Sequence, residues 1–149
     1  MLYLSLKFLH IIAAIVAVGA NVTYGVWIAR GKHQAEVLGF ALRGIRFIDN
    51  FLANPAYAIL LISGLAMVHV AGYSLTTPWL LMALVLYVLV VMVGLLGFTP
   101  SLRRQIETLE SEGVDSETYM TLATRSRWLG AVIGVLVVAI IYLMVFKPT

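Results

Sequence analysis

The sequence predicts an all-α integral membrane protein, a four-helix bundle. Three observations predict it. Four apolar runs, at about residues 2–29, 52–71, 78–98 and 128–146, come near the roughly 20 residues that a helix needs to cross a bilayer. The last three runs hold no Asp, Glu, Lys or Arg, and the first holds only Lys7, close enough to its end to reach the headgroups. The 149 residues are 62% hydrophobic and 11% charged, whereas a soluble domain carries about 25% charged residues. Residues 1–149 read as a single transmembrane domain.

The connections give an orientation. Arg30, Lys32, Arg43 and Arg46 lie between the first two runs, and Arg103, Arg104, Arg125 and Arg127 between the last two. The short stretch 72–77 has no charge. Basic residues collect in cytoplasmic connections, so the termini and the short stretch are expected outside, with a helical cytoplasmic segment between helices 3 and 4. The net charge of +3 does not point to nucleic acid, because the basic residues flank apolar runs instead of forming one stripe. With no cysteine, disulfides, zinc-thiolate sites, iron–sulfur clusters and thiol nucleophiles are excluded.

Taken in order, the first run carries His10 about two turns in. Lys7, the apolar run and Val18-Gly19-Ala20 faintly resemble a signal peptide, but the run continues through Trp27, past the 7–15 or so residues of a signal's apolar region. Helical spacing puts His10, Ala14, Ala17, Asn21 and Tyr24 on one small, polar face, which is expected to turn toward neighbouring helices. Asn54-Pro55 suits the start of the second membrane helix; alternatively that helix begins near Asp49-Asn50 and Pro55 bends it. Thr76-Thr77-Pro78 opens the third. Thr99-Pro100 is expected to end or kink it. Residues 101–112 read as a polar helix stopped by Gly113, and Asp115 as the cap of a helix that runs on into the last span. Glu107, Glu110, Glu112, Asp115 and Glu117 read as a solvated face. Gly130 and Gly134 form a GxxxG pattern that favours close helix contact, within one chain or between two.

The histidines are the candidate chemistry. His33 sits beside Lys32 and reads as solvated. His10 and His69 are expected on the same side of the bilayer, on consecutive antiparallel helices, roughly 9–12 Å and 3–6 Å below their helix ends at about 1.5 Å per residue. An ionisable group within a span is a functional-site hypothesis, and two imidazoles at similar depth could ligate one haem iron. Beside this stand plainer readings: His69 resting in the interface, and His10 as a hydrogen-bonded structural residue. Met67, Met82 and Met92 are possible soft ligands, though methionine usually packs. Asn21 and Asn54 are expected to be each other's partners, and Arg46 and Asp49 a surface ion pair.

Leu6-Lys7-x-Leu9-His10-Ile11, Asp49 six residues before Pro55, Gly64, and Pro78-Trp79-Leu80 together resemble an uncharacterised family of small bacterial predicted integral membrane proteins, over essentially the whole chain. That family is distantly similar to the HemJ-type haem-b protoporphyrinogen oxidases and to the CopD copper-resistance membrane proteins. The resemblance to the oxidases implies a haem-binding role for His10. It implies none for His69. Where the oxidases have a Trp-Leu-His-x-Lys-Leu-like segment, this chain reads Trp79-Leu80-Leu81-Met82-Ala83-Leu84, without the histidine and lysine, so porphyrinogen oxidation is not carried over.

The expected function is therefore a haem-b-binding membrane protein for redox chemistry, electron transfer or haem sensing, with His10 as axial ligand and His69 as a second cofactor or metal ligand. A non-enzymatic membrane subunit or scaffold is the alternative, and copper handling through His10, His69 and Met67 a third. The expected setting is the inner membrane of a bacterium, multi-pass in the lipid bilayer, with a homo-oligomer possible and no nucleic-acid partner.

Overall fold

A computed structural model describes residues 1–31 and 34–148. Among the described residues the regular structure is all helical, without strands. Helix α1 spans Leu2–Gly31, α2 Ala35–Ile48, α3 Asn54–Ala71, α4 Pro78–Met92, α5 Thr99–Glu112 and α6 Glu117–Phe146. A π-helical segment, Asp49–Ala53, joins α2 to α3 without a break, and a second, Val93–Phe98, joins α4 to α5. The outcome is four rods, α1, Glu36–Ala71, Pro78–Glu112 and α6, each long and apolar enough to cross a membrane.

The rods outrun a bilayer. At about 1.5 Å rise per residue, the 36 residues of the second rod reach well beyond a hydrocarbon core of about 30 Å. The surplus forms a charged end, made of α2, α5 and the first turns of α6. Its core is Leu38, Leu42, Ile45, Leu102, Ile106, Leu109 and Tyr119. α2 presents Leu38, Leu42, Ile45 and Asp49 to that core at helical spacing. Arg43–Glu110 and Arg103–Glu107 pair on its exposed surface.

Neither proline ends its rod. Proline has no N–H for the i−4 carbonyl, and its ring crowds that carbonyl. Pro55 and Pro100 each stand one residue past a π segment, where the wider turn displaces the crowded carbonyl and the helix continues. Pro100 therefore does not end the helix, which runs on past a local widening. Real stops fall where the backbone is left-handed or uncapped: Gly72 closes α3 with φ 69°, and Gly113 ends α5 with φ 87°. Ser116, not Asp115, caps α6, its hydroxyl accepting the Tyr119 N–H at 3.1 Å. From there α6 runs unbroken into the last span, as the sequence predicts.

At the apolar end α1 packs on α3 and α4 packs on α6, with a lighter α1–α6 contact. The buried face of α1 is Ala13, Ala17, Ala20 and Tyr24, the small-residue face expected from the sequence turned slightly. Gly130 approaches the Phe98 ring within this chain, while Gly134 has open space before it. α3 and α4 are consecutive but touch chiefly through Tyr57 and Tyr87. Where the rods emerge at the uncharged turn, the Lys147 ammonium lies 5.8 Å from the Tyr73 ring centre and 5.4 Å from that of Trp79. Aromatic and basic residues grouped in this way suit a membrane interface.

Candidate functional site

Two polar loci lie among the apolar helices. The first is built on α1 and α3. His10 Nδ1 stands 2.9 Å from the hydroxyl of Ser63, a residue only 2% exposed. The Ser63 hydroxyl in turn donates to the Ile59 carbonyl at 2.6 Å. A hydroxyl has one proton. With that proton on Ile59, Ser63 accepts from His10, which places a hydrogen on Nδ1. The assignment follows from the hydrogen-bond network. Gly64 makes room for the ring: a Cβ there would stand 3.2 Å from His10 Cε1. Both Ser63 and Gly64 are therefore part of the histidine's seat, and only Gly64 was singled out from the sequence.

His69 is not brought to His10. It lies six residues beyond Ser63, about 9 Å along the axis and some 240° around it at the ordinary helical rise and turn, and it is exposed. Met82 and Met92 face outward, each more than half exposed. His33 lies outside the described residues. Among the described residues no group of three or more His, Asp or Glu gathers as a metal site would require.

The second locus is centred on Asp49, in the first turn of the π segment after α2. Sequence reasoning expected a surface ion pair with Arg46. The structure corrects this: Asp49 is 7% exposed, and its carboxylate accepts from Thr99 Oγ1 at 3.1 Å and, more weakly, from Tyr24 OH at 3.5 Å. Helical spacing was the available signal, since Asp49 follows Leu38, Leu42 and Ile45 on the buried face of α2. The Tyr24 ring stacks on Phe98 at 6.0 Å, fixing the hydroxyl's approach.

The asparagines are not each other's partners either. Asn21 Nδ2 donates to Tyr57 OH and to the Ala17 carbonyl, both at 2.9 Å. Tyr87 OH donates to the Tyr57 carbonyl at 2.7 Å, tying α4 to α3. Asn21, Asn54, Tyr57 and Tyr87 join Asp49 and Thr99 in lining a cavity of about 380 Å³ between α3 and α4. Its remaining walls are apolar, among them Leu61, Val88, Val91 and Leu95. Leu61, Val88 and Leu95 are also exposed on the flank of the bundle, so the cavity opens sideways between the helices.

A family model described as "Predicted integral membrane protein (DUF2269)" matches residues 4–148. No curated protein matches the chain, and no solved structure does.

Proposed function

The chain belongs to the DUF2269 family of predicted integral membrane proteins, and from that premise we propose that it is a haem-b-binding membrane protein with His10 as the axial ligand. One observation carries this reading: the Nδ1 of His10 is held by Ser63, itself anchored to the Ile59 carbonyl. Metal-bound histidines are commonly held in this way through their second ring nitrogen, which fixes the tautomer and the ring orientation. An imidazole held in this way is a standard axial donor, and Gly64 lets the ring lie against α3 without a clash. One oriented imidazole is thus the kind of donor that such a group takes. Bound there, haem would supply one-electron or ligand-sensing chemistry; the chain's own part is to hold and orient the imidazole.

The arrangement favours one protein ligand over two, because His69 lies on another side of α3. A cofactor at His10 is also what the sequence resemblance to the HemJ-type oxidases implies, and that resemblance names no substrate. In this reading the charged end faces the cytoplasm, since eight of the ten basic residues flank it, and His10 lies in the outer half of the membrane.

The test is a visible spectrum of the detergent-purified protein, oxidised and reduced, beside His10→Ala and His69→Ala. A Soret band that collapses in His10→Ala and survives in His69→Ala is expected. A protein that stays colourless after haem is supplied in expression and in reconstitution would overturn the reading. Bound copper lost in His10→Ala would then favour copper handling, and no metal at all a structural subunit.

A further inference from the structure

We propose that the cavity between α3 and α4 binds a small hydrophobic ammonium compound, with Asp49 as its counter-charge. This goes beyond the haem reading and does not depend on it, since His10 does not line the cavity. A carboxylate taken out of water is costly unless its charge is met. Asp49 is nearly buried, yet the groups that hydrogen-bond it, the Thr99 and Tyr24 hydroxyls and the Asn54 amide, are all neutral. Among the described residues its carboxylate forms no ion pair within 4.0 Å. The carboxyl thus has no cationic partner among the described residues, which leaves a place for one from outside the chain.

The surroundings select the kind of cation. At about 380 Å³ the space suits a small organic molecule. One wall set is aliphatic, Leu61, Val88, Val91 and Leu95, and the aromatic rings of Tyr57 and Phe98 also line it. Such rings attract a cation on their faces. A bare metal ion would want several oxygen ligands, of which carboxylates are the strongest, and this site has one. An anionic compound would meet Asp49 as a like charge. Because the mouth opens on the flank of the bundle, a ligand arrives through lipid and needs an apolar body. A primary ammonium on a hydrophobic body meets each demand. A free amine and an aminophospholipid headgroup share that chemistry.

The test uses the full chain in phosphatidylcholine nanodiscs, titrated calorimetrically with 4-phenylbutylamine or with 4-phenylbutanol, and with empty discs as the blank. Saturable amine binding is expected, at least tenfold weaker for the alcohol and for Asp49→Asn, and lost in Leu61→Trp, which fills the mouth without touching the carboxylate. If Asp49→Asn does not fold, the amine–alcohol comparison and Leu61→Trp still decide. Equal affinity for amine and alcohol, binding unchanged in either variant, or no heat above the blank would overturn the proposal. Discs containing phosphatidylethanolamine separate the sources: weakened amine binding there assigns the site to the lipid headgroup, and unchanged binding to the free amine.

Discussion

The hydroxyl of Thr99 donates to the carboxylate of Asp49 across 3.1 Å, and this bond joins the second and third rods where each is widened by a π segment ahead of a proline. π turns commonly mark functional positions in helices. Here they do two things at once. They let Pro55 and Pro100 sit inside continuous rods, and they bring a carboxylate from one rod to a hydroxyl from the other.

Thr99→Val keeps the shape of the side chain and removes this donor. A hydrogen bond to a charged group contributes about 1.5–3 kcal/mol, so the variant is expected to lose stability of that order, and Thr99→Ser to lose much less. Reversible unfolding in mixed detergent–SDS micelles measures both. Equal stability of Thr99→Val and the parent would mean that the bond does not hold the rods together.

Gly64 is the seat of the His10 ring. Alanine there puts its Cβ 3.2 Å from His10 Cε1, so the ring must give by a few tenths of an ångström. Leucine cannot be accommodated in that way and is expected to cost about 1–3 kcal/mol by overpacking. The same unfolding assay should rank glycine, alanine and leucine in falling order.

Ser63→Ala leaves His10 in place but frees its Nδ1. Loss of a group that orients a metal-bound histidine typically costs 10–100-fold in affinity. Haem titration of Ser63→Ala is therefore expected to give a weakening of about that size, with His10→Ala abolishing binding. An affinity unchanged in Ser63→Ala would show that the serine only fills space.

At the charged end the stability lies in the core and not in the ion pairs. Leu42 is fully buried, and Leu42→Ala is expected to cost about 2–5 kcal/mol. Arg43 and Glu110, next to it, are each more than half exposed. A double-mutant cycle on that pair is expected to yield no more than about 1 kcal/mol.

Ser116→Ala removes the side-chain cap of α6 and is expected to cost about 0.5–2 kcal/mol. Asp115→Ala, one residue before, should be nearly silent in the same unfolding assay, which reverses the assignment that the sequence suggests.

By itself the sequence determined the number of spans, the polarity of the connections and the small-residue face of α1. Those follow from hydrophobicity counted along one chain and from helical period, both local properties. It also marked His10 and Gly64 as positions of interest, through spacing and a resemblance. Only the tertiary structure decided who meets whom. Asp49 sits three residues from Arg46, and in a line of text that reads as an ion pair; packing instead turned it inward to Thr99, fifty residues away. Asn21 and Asn54 looked matched in depth, but Tyr57 took the Asn21 amide. His69 looked matched to His10, but the rotation of α3 gave His10 to Ser63 and left His69 exposed. Depth along a helix can be read from residue number, whereas azimuth relative to a neighbouring helix is fixed by packing. For that reason the partners were not legible in the chain alone, even where helical spacing marked a buried face.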